Sequence, residues 1–309
     1  MRFDSAQLAA LAAVVEGGTF DAAATALHLT PSAVSQRVRA LEQQAGQVLV
    51  LRTRPCRPTA AGVVLVRLAG QLAALDADAT AALGLGTGPV RVGVAVNADS
   101  LATWFPGALA GLGDDVVVDL HREDQDRTAQ LLRDGAVMAA VTADAAPVQG
   151  CRVRPLGAMR YRAMAAAAFV ARWFPDGPVA SAWAAAPVVA FTADDLLQHR
   201  FVGRLPRGPQ ALGPVHHVPS HPAYTAVIAD GLGWGMVSEH EADAFVRGGA
   251  LVDLVPGRWL DVALYWQRWS VRAALLDDLT GRVVAAAAAA LRPVASSSPG
   301  SSARPPSRA

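Results

Sequence analysis

The chain has 309 residues, 52% hydrophobic and 17% charged, with a formal net charge of +1, which allows two or three packed domains and excludes global disorder. Its two cysteines, Cys56 and Cys151, are too far apart in sequence to found a disulfide scaffold or a metal site. No run free of Arg, Asp, Gly or Pro approaches a membrane span, and the amino terminus lacks the basic-then-apolar order of a signal peptide, so a soluble cytoplasmic protein with no membrane partner is expected.

Leu8, Leu11 and Val14–Val15 give a first helix its apolar stripe, which ends at Gly17–Gly18. Thr19 caps a second helix, Phe20 to Leu27, in which Ala22, Ala23 and Ala24 permit close helix contact. His28–Leu29 makes a turn, and Thr30 caps a third helix with Pro31 at its first position, where a missing N–H costs nothing. Val34, Val38 and Leu41 recur at helical spacing and face the core, leaving Ser32, Ser35, Gln36, Arg37 and Arg39 largely on other faces. This is helix-turn-helix geometry. Ser and Gln near the start of a recognition helix can bond base edges and phosphates, and Arg reaches guanine or phosphate. After Gly46, VLVLRTRPCRPT reads as a two-stranded wing that sets Arg52, Arg54 and Arg57 beside a DNA backbone. On pattern alone, a plain three-helix bundle with a solvated polar face is an equal reading. The charge balance of residues 1–60, six Arg against four acids, is only mildly basic.

Residues 59–84 form one long apolar-periodic helix, capped by Thr59 and closed by the Gly84/Gly86/Gly88 cluster. From Pro89 onward, short apolar strands alternate with helical segments (VRVGVAV, VVVDLH, VMAAVT), a pattern of parallel βαβ units. The end of VRVGVAV runs into NADSLATW, Asn97 to Trp104, where a helix start at a strand end makes an anion site. There Ser100 and Thr103 add hydroxyls, and Asp99 serves as a cap or meets a cation. After the second strand, Glu123 and Asp124 stand at a carboxyl end, where open α/β sheets bind ligands, while Asp126 belongs to a solvated face. Thr142, Thr192, Ser220 and His221 are the polar residues at further strand ends. Hydroxyl and N–H donors for a carboxylate, with several acids for cations, suit an amino acid with a basic side chain. The glycines of 84–88 and 231–235 lack a phosphate-binding helix pattern, and His216–His217 alternate across a strand and cannot share a metal. No nucleophile–base set is placed for catalysis, so neither an enzyme nor a cofactor is expected. The Ser/Pro-rich stretch from 295 reads as a disordered tail.

The stretch FDAAATALHLTPSAVSQRVRALEQQAGQVLVLRTRPCRPTAAG resembles the winged helix-turn-helix of LysR-type transcriptional regulators. Ala23, Ala24, Leu27, Thr30, Ser32, Ala33, Val34, Ser35, Val38, Leu41 and Glu42 fall on that family's motif, and RTR…PTAAG matches its wing exit. Val48–Leu49–Val50–Leu51 departs from it, where a Phe and an acid are usual. The resemblance implies an α/β protein with an N-terminal winged helix-turn-helix over 1–58 and a dimerising linker helix over 59–88. A two-lobed, periplasmic-binding-protein-like effector domain would follow over 89–294, with lobe I at about 90–160 and 268–292 and lobe II at about 161–267. It further implies that Thr30, Ser32, Ser35, Gln36, Arg37, Arg39, Arg52 and Arg54 contact DNA, and that Asn97, Asp99, Ser100, Thr103, Glu123, Asp124, Thr142, Thr192, Ser220 and His221 line the effector cleft.

Through AVNADSLATWFPGAL, EDQDRT, APVVAF and LYWQR the chain is also similar to the lysine/arginine-responsive ArgP/LysG branch of the family. The partners implied are operator DNA, a basic amino acid, a second copy of the chain as dimer or tetramer, and RNA polymerase. The role implied is control of amino-acid export or biosynthesis genes. A sequence-tolerant nucleoid-binding protein that inhibits replication initiation is the alternative.

Overall fold

The computed structural model describes residues 2–85, 89–122, 125–206 and 211–293, without the side chains of 125–127. Glu123, Asp124, Gly86, Gly88 and the tail from 295 therefore lie outside the described residues.

Three helices open the chain, α1 (Ser5–Gly17), α2 (Phe20–Ala26) and α3 (Pro31–Ala45). Each starts on a side-chain cap: Asp4, Thr19 and Thr30 accept the N–H of Gln7, Ala22 and Ala33 at 3.0, 3.1 and 3.2 Å. These bonds satisfy donors that a helix start leaves orphaned. His28, in the left-handed conformation at φ 53°, makes the turn from α2 into α3. Val34, Val38 and Leu41 of α3 are fully buried against Leu8, Leu11 and Val14 of α1 and Ala23 and Ala24 of α2. A small antiparallel pair, β1 (Val50–Leu51) and β2 (Arg57–Pro58), forms the wing.

Helix α4 (Ala60–Ala82) starts at Thr59, whose hydroxyl accepts the Gly62 N–H at 3.1 Å and donates to the Val48 carbonyl at 2.7 Å. By length and hydropathy α4 would pass for a membrane span, yet it carries Arg67, Asp76 and Asp78. Its apolar positions have other uses. Leu65, Val66 and Ala69 complete the core of the first three helices, while Val64, Leu75 and Leu83 lie exposed.

The same helix also touches the second half of the chain. A Cβ at Gly70 would lie 2.7 Å from the ring of buried Trp269, so the indole packs directly on the helix backbone. Asp78 accepts the N–H of Ala274 at 2.7 Å, which caps the last helix, α13 (Ala274–Ala290), from outside its own sequence.

The remainder is a mixed sheet with helices around it. Strand β3 (Val90–Val96) leads through α5 (Ala98–Ala102) and α6 (Pro106–Leu109) to β4 (Val116–Arg122), and α7 (Gln125–Asp134) leads to β5 (Ala139–Thr142). Both β4 and β5 run parallel to β3, the βαβ arrangement expected from the alternation of the sequence. Two long strands, β6 (Cys151–Ala165) and β11 (Leu260–Trp269), run antiparallel over ten register pairs, from Leu260 opposite Tyr161 to Trp269 opposite Cys151. One end of this ribbon joins β5, forming a first lobe with α13. The other end carries β9 (Gly235–Ser238) and β10 (Val252–Asp253) in the second lobe. The other second-lobe elements are α8 (Ala167–Trp173), α9 (Ala180–Ala185), β7 (Val188–Ala190), α10 (Leu197–Val202), β8 (Val215–His217), α11 (His221–Ala229) and α12 (Glu239–Arg247).

The ribbon carries a bulge between Leu264 and Tyr265, where β6 passes from Gly157 to Pro155. Gly157 sits at φ 141°, and a Cβ there would lie 2.8 Å from both the Arg292 carbonyl oxygen and the Leu291 Cβ. Only glycine fits both the backbone angle and the space. Replacing Gly157 with Ala is expected to lower stability by about 1–3 kcal/mol, read as a shifted midpoint in urea unfolding at unchanged slope.

Candidate functional site

Two surfaces concentrate the chemistry. The first is the outer face of α3 with the wing. With Val34, Val38 and Leu41 inward, a period of 3.6 residues turns Ser32, Ser35, Gln36 and Arg39 to the opposite side, with Arg37 on the flank. Ser32, Gln36 and Arg39 are exposed, and Ser35 and Arg37 are half-buried. Thr30 is exposed too, and its oxygen already accepts the Ala33 N–H, which leaves its hydroxyl proton to donate to a ligand.

Glu42 closes this unit. Its carboxylate accepts the Leu49 N–H at 2.9 Å and so fixes the wing to the end of α3. From the wing, the Arg52 guanidinium lies 5.0 Å from the ring centroid of Phe20 at the start of α2. Cys56 donates its N–H to the Gly18 carbonyl at 2.7 Å, and Arg54 is exposed. The result is a joined surface of α3 and wing bearing hydroxyl, amide and guanidinium groups.

The second surface lies where the lobes meet. Asp99, on α5 of the first lobe, accepts the Tyr161 hydroxyl at 2.5 Å. It also faces His221 at the start of α11 in the second lobe, at 3.6 Å. The His221 Nε2 lies 3.1 Å from Glu241 of α12, between the two carboxylates and aligned for a hydrogen bond with neither. Hydroxyls of Thr225 and Ser238 each approach Glu241 at 3.4 Å. Asp195, before α10, accepts N–H groups from Phe191 and Leu197 at 2.9 and 3.0 Å and the Gln198 amide at 3.1 Å. A further contact crosses the lobes at 5.9 Å, from the Arg122 guanidinium to the Phe191 ring centroid.

Burial raises the Asp99 carboxyl above the ordinary carboxylate value, opposed by the Tyr161 bond and the nearby His221. Burial, with Asp99 alongside, pushes the Tyr161 phenol well up, so it remains a donor. His221 is raised chiefly by its contact with Glu241, against the opposing effect of burial. The cleft is thus rich in acids and holds one histidine ring whose protonated form they favour.

The expected cleft residues divide by what they already do. Asp99 and His221 come together. Ser100 is fully buried, and its hydroxyl has no hydrogen-bond partner among the described residues. Asn97 caps α5, its side chain accepting the Ser100 N–H at 2.8 Å, so the helix start is satisfied from within. Thr103 donates to the Asp99 carbonyl at 2.6 Å, and buried Thr142 accepts the Asp144 N–H at 3.0 Å. The Thr192 carbonyl accepts the Asp195 N–H at 3.2 Å, and Ser220 stands before α11 with no side-chain capping bond. Tyr161, Asp195 and Glu241 were missed as site residues. A signal existed for Glu241, which follows strand β9 as closely as the expected residues follow theirs. Among the described residues, no group of three or more His, Cys, Asp or Glu could hold a metal ion.

Residues 5–63 match the family described as bacterial regulatory helix-turn-helix protein, lysR family, and residues 84–288 match the LysR substrate binding domain. The HTH-type transcriptional regulator LysG of Mycobacterium tuberculosis is 49% identical over 293 residues, 94% of this chain and 96% of that protein. The crystal structure of ArgP from the same organism is similar with a TM-score of 0.85 at 48% identity, covering 94% of this chain and all of that one. The lysine export transcriptional regulatory protein LysG of Corynebacterium glutamicum is 41% identical over 292 residues, 93% of this chain and 99% of that protein. Full-length LysG from Corynebacterium glutamicum with bound effector Arg gives a TM-score of 0.76 at 39% identity, covering 94% of this chain and all of that one.

A buried hydroxyl without a partner costs stability in the empty protein. Ser100→Ala is therefore expected to leave thermal stability unchanged or to raise it by up to about 1 kcal/mol, as measured by calorimetric unfolding without ligand.

Proposed function

The chain belongs to the LysR family of bacterial regulators, and on that premise we propose that it controls transcription by binding operator DNA and sensing lysine or arginine. The genes it governs are those of basic amino-acid export or biosynthesis. The observation that carries the sensing half is the interlobe acid pair, Asp99 and Glu241, which converge on His221 from opposite lobes. Paired carboxylates in a mostly buried cleft suit a guanidinium or an ammonium, and charge-assisted bonds are strong there. The arginine bound to Corynebacterium glutamicum LysG supports the same reading. In this proposal Ser100 bonds the amino acid, Thr142, Thr192 and Ser220 line the cleft, and Glu123 and Asp124 add acids on the strength of sequence position alone.

The DNA half rests on α3. Ser32, Ser35, Gln36 and Arg37 read base edges and Thr30, Arg39, Arg52 and Arg54 hold phosphates, a reading supported by the outward face that Ser32, Ser35, Gln36 and Arg39 share and by the exposure of Arg52 and Arg54 on the wing. Val64 and Leu75, exposed on α4, and Leu83 just after it support a dimer through that helix, which would set two recognition helices one DNA turn apart. The functional division then runs 1–58, 59–88 and 89–294, with β6 and β11 as the crossings between lobes. We further propose RNA polymerase as a partner of the DNA-bound oligomer and the cytoplasm as its location. A sequence-tolerant nucleoid protein is not favoured, since nothing in that role calls for the interlobe pocket.

Arg37→Ala is expected to weaken operator binding by about 1–3 kcal/mol while leaving amino-acid binding intact, measured by fluorescence anisotropy on a footprinted site. Wild-type affinity for that site should fall steeply with salt. Titrating the full chain with lysine, arginine and histidine by calorimetry tests the sensor. Binding of one basic amino acid that Ser100→Ala weakens supports the reading, and no heat with any of the three overturns it.

A further inference from the structure

Building on the sensing role above, we propose that the protonated ring of His221 occupies the cation seat of the effector cleft in the empty protein, so that a basic amino acid must displace its charge to bind. The geometry is that of a lodged cation. The Nε2 atom stands 3.1 Å from Glu241 and 3.6 Å from Asp99, carboxylates that come from different lobes. The His221 side chain is only 17% exposed, against 30% for Asp99 and 22% for Glu241, so the three groups share one poorly hydrated space. The contact with Glu241 is the shorter of the two, so the ring leans on the second-lobe acid while still facing the first-lobe one.

The groups facing this ring account for its protonation. From α5 comes Asp99, itself fixed by the Tyr161 hydroxyl of β6. From α12 comes Glu241, approached by Thr225 on α11 and Ser238 at the end of β9. Asp195, ahead of α10, adds negative potential at Asp99. The contact with Glu241 raises the ring above the ordinary histidine value. No Arg forms an ion pair with Asp99 or Glu241 among the described residues, which leaves His221 as the cation they share.

A guanidinium or ammonium brought between the same carboxylates would stand beside an imidazolium, and like charges at contact distance repel. The seat is relieved when the Nε2 proton leaves to solvent and the neutral ring stays or swings aside. One proton is released per effector bound, and no bond to carbon changes. Sensing is thereby linked to pH: below the ordinary histidine value the resident cation is complete and competes, and as pH rises through the raised value of the empty protein the seat becomes free. The interlobe contact made by the charged ring is lost over the same interval, since a raised histidine stabilises the fold at low pH and not at high pH.

The test uses the full chain. Histidine resonances are followed by NMR from about pH 5 to about pH 9, with His221→Gln identifying the signal, and arginine is then titrated calorimetrically in buffers of different ionisation heat. His221 should titrate above ordinary histidine in the empty protein. Binding should release up to one proton, and the dissociation constant should fall by up to about tenfold per pH unit until the ring is neutral, a slope that His221→Gln abolishes. An ordinary or lowered titration of the empty protein overturns the proposal whether or not arginine binds. So does proton uptake on binding, or loss of binding in His221→Gln at high pH, either of which would make the ring a direct partner of the ligand. A raised titration with no binding of arginine or lysine at any pH would instead sink the effector assignment, and the competition with it. The empty-protein titration tells these failures apart.

Discussion

Everything downstream of the linker helix hangs on the antiparallel ladder between β6 and β11. Its ten register pairs belong to both lobes at once, and the alternation of side chains along it sorts chemistry to two faces. Buried Met159, Tyr161 and Ala163 point one way, and Tyr161 reaches the cleft from there. Arg160 and Arg162 point the other way, where Arg160 pairs with Asp261 at 2.8 and 2.9 Å and lies 4.0 Å from the Trp259 ring centroid, while Arg162 pairs with Asp243. A slip of one residue would bury two guanidinium groups in the cleft and send the phenol to the back. The bulge beside Gly157 bends the ladder where the chain passes between lobes.

Helix α12 ties the two faces together. Glu241 enters the cleft, while Glu239 pairs with Arg292 at 2.9 Å and His240 contacts the Ala290 carbonyl at 3.0 Å behind it. One turn of helix therefore faces the cleft on one side and holds the carboxyl end of the first lobe on the other. The rear pair is exposed and contributes little to stability. Its value is geometric, because any shift of Glu241 must move Glu239 as well.

How much of this was legible from residues alone depended on range. The amino-terminal unit is written in local signals: caps at Thr19, Thr30 and Thr59, a core period at Val34, Val38 and Leu41, and a wing bracketed by Arg and Pro. Each is a rule spanning a few residues, and each appears in the structure. The cleft obeys a coarser rule, that ligands sit at strand ends, and two of the residues it names, Asp99 and His221, meet where the lobes do. It could not tell a free polar group from an engaged one, so Asn97 and Thr103 were weighed with Ser100 although both bond within their own helix. Tyr161 and Glu241 meet Asp99 and His221 only through the register of the ladder and the docking of α12, contacts between residues 62 and 20 positions apart. Glu42 was read as part of a motif; its bond to the wing backbone explains why a carboxylate stands there.

The seating of Trp269 on Gly70, and the cap that Asp78 lends to α13, bear on how such a protein can be cut and recombined. A boundary drawn in the glycine-rich segment after α4 looks natural by sequence, since it falls between elements. It would nonetheless separate an indole from its floor and a helix from its cap. The twenty-three residues of α4 belong to both halves: the first turns finish the hydrophobic centre of the DNA-reading unit, and the later ones support the sensor. A chimaera that exchanges effector halves between relatives would therefore inherit a mismatched seam unless the helix surface around Gly70 and Asp78 travels with the sensor it fits. The module that evolution can shuffle here is larger than the domain, and its edge lies inside a helix.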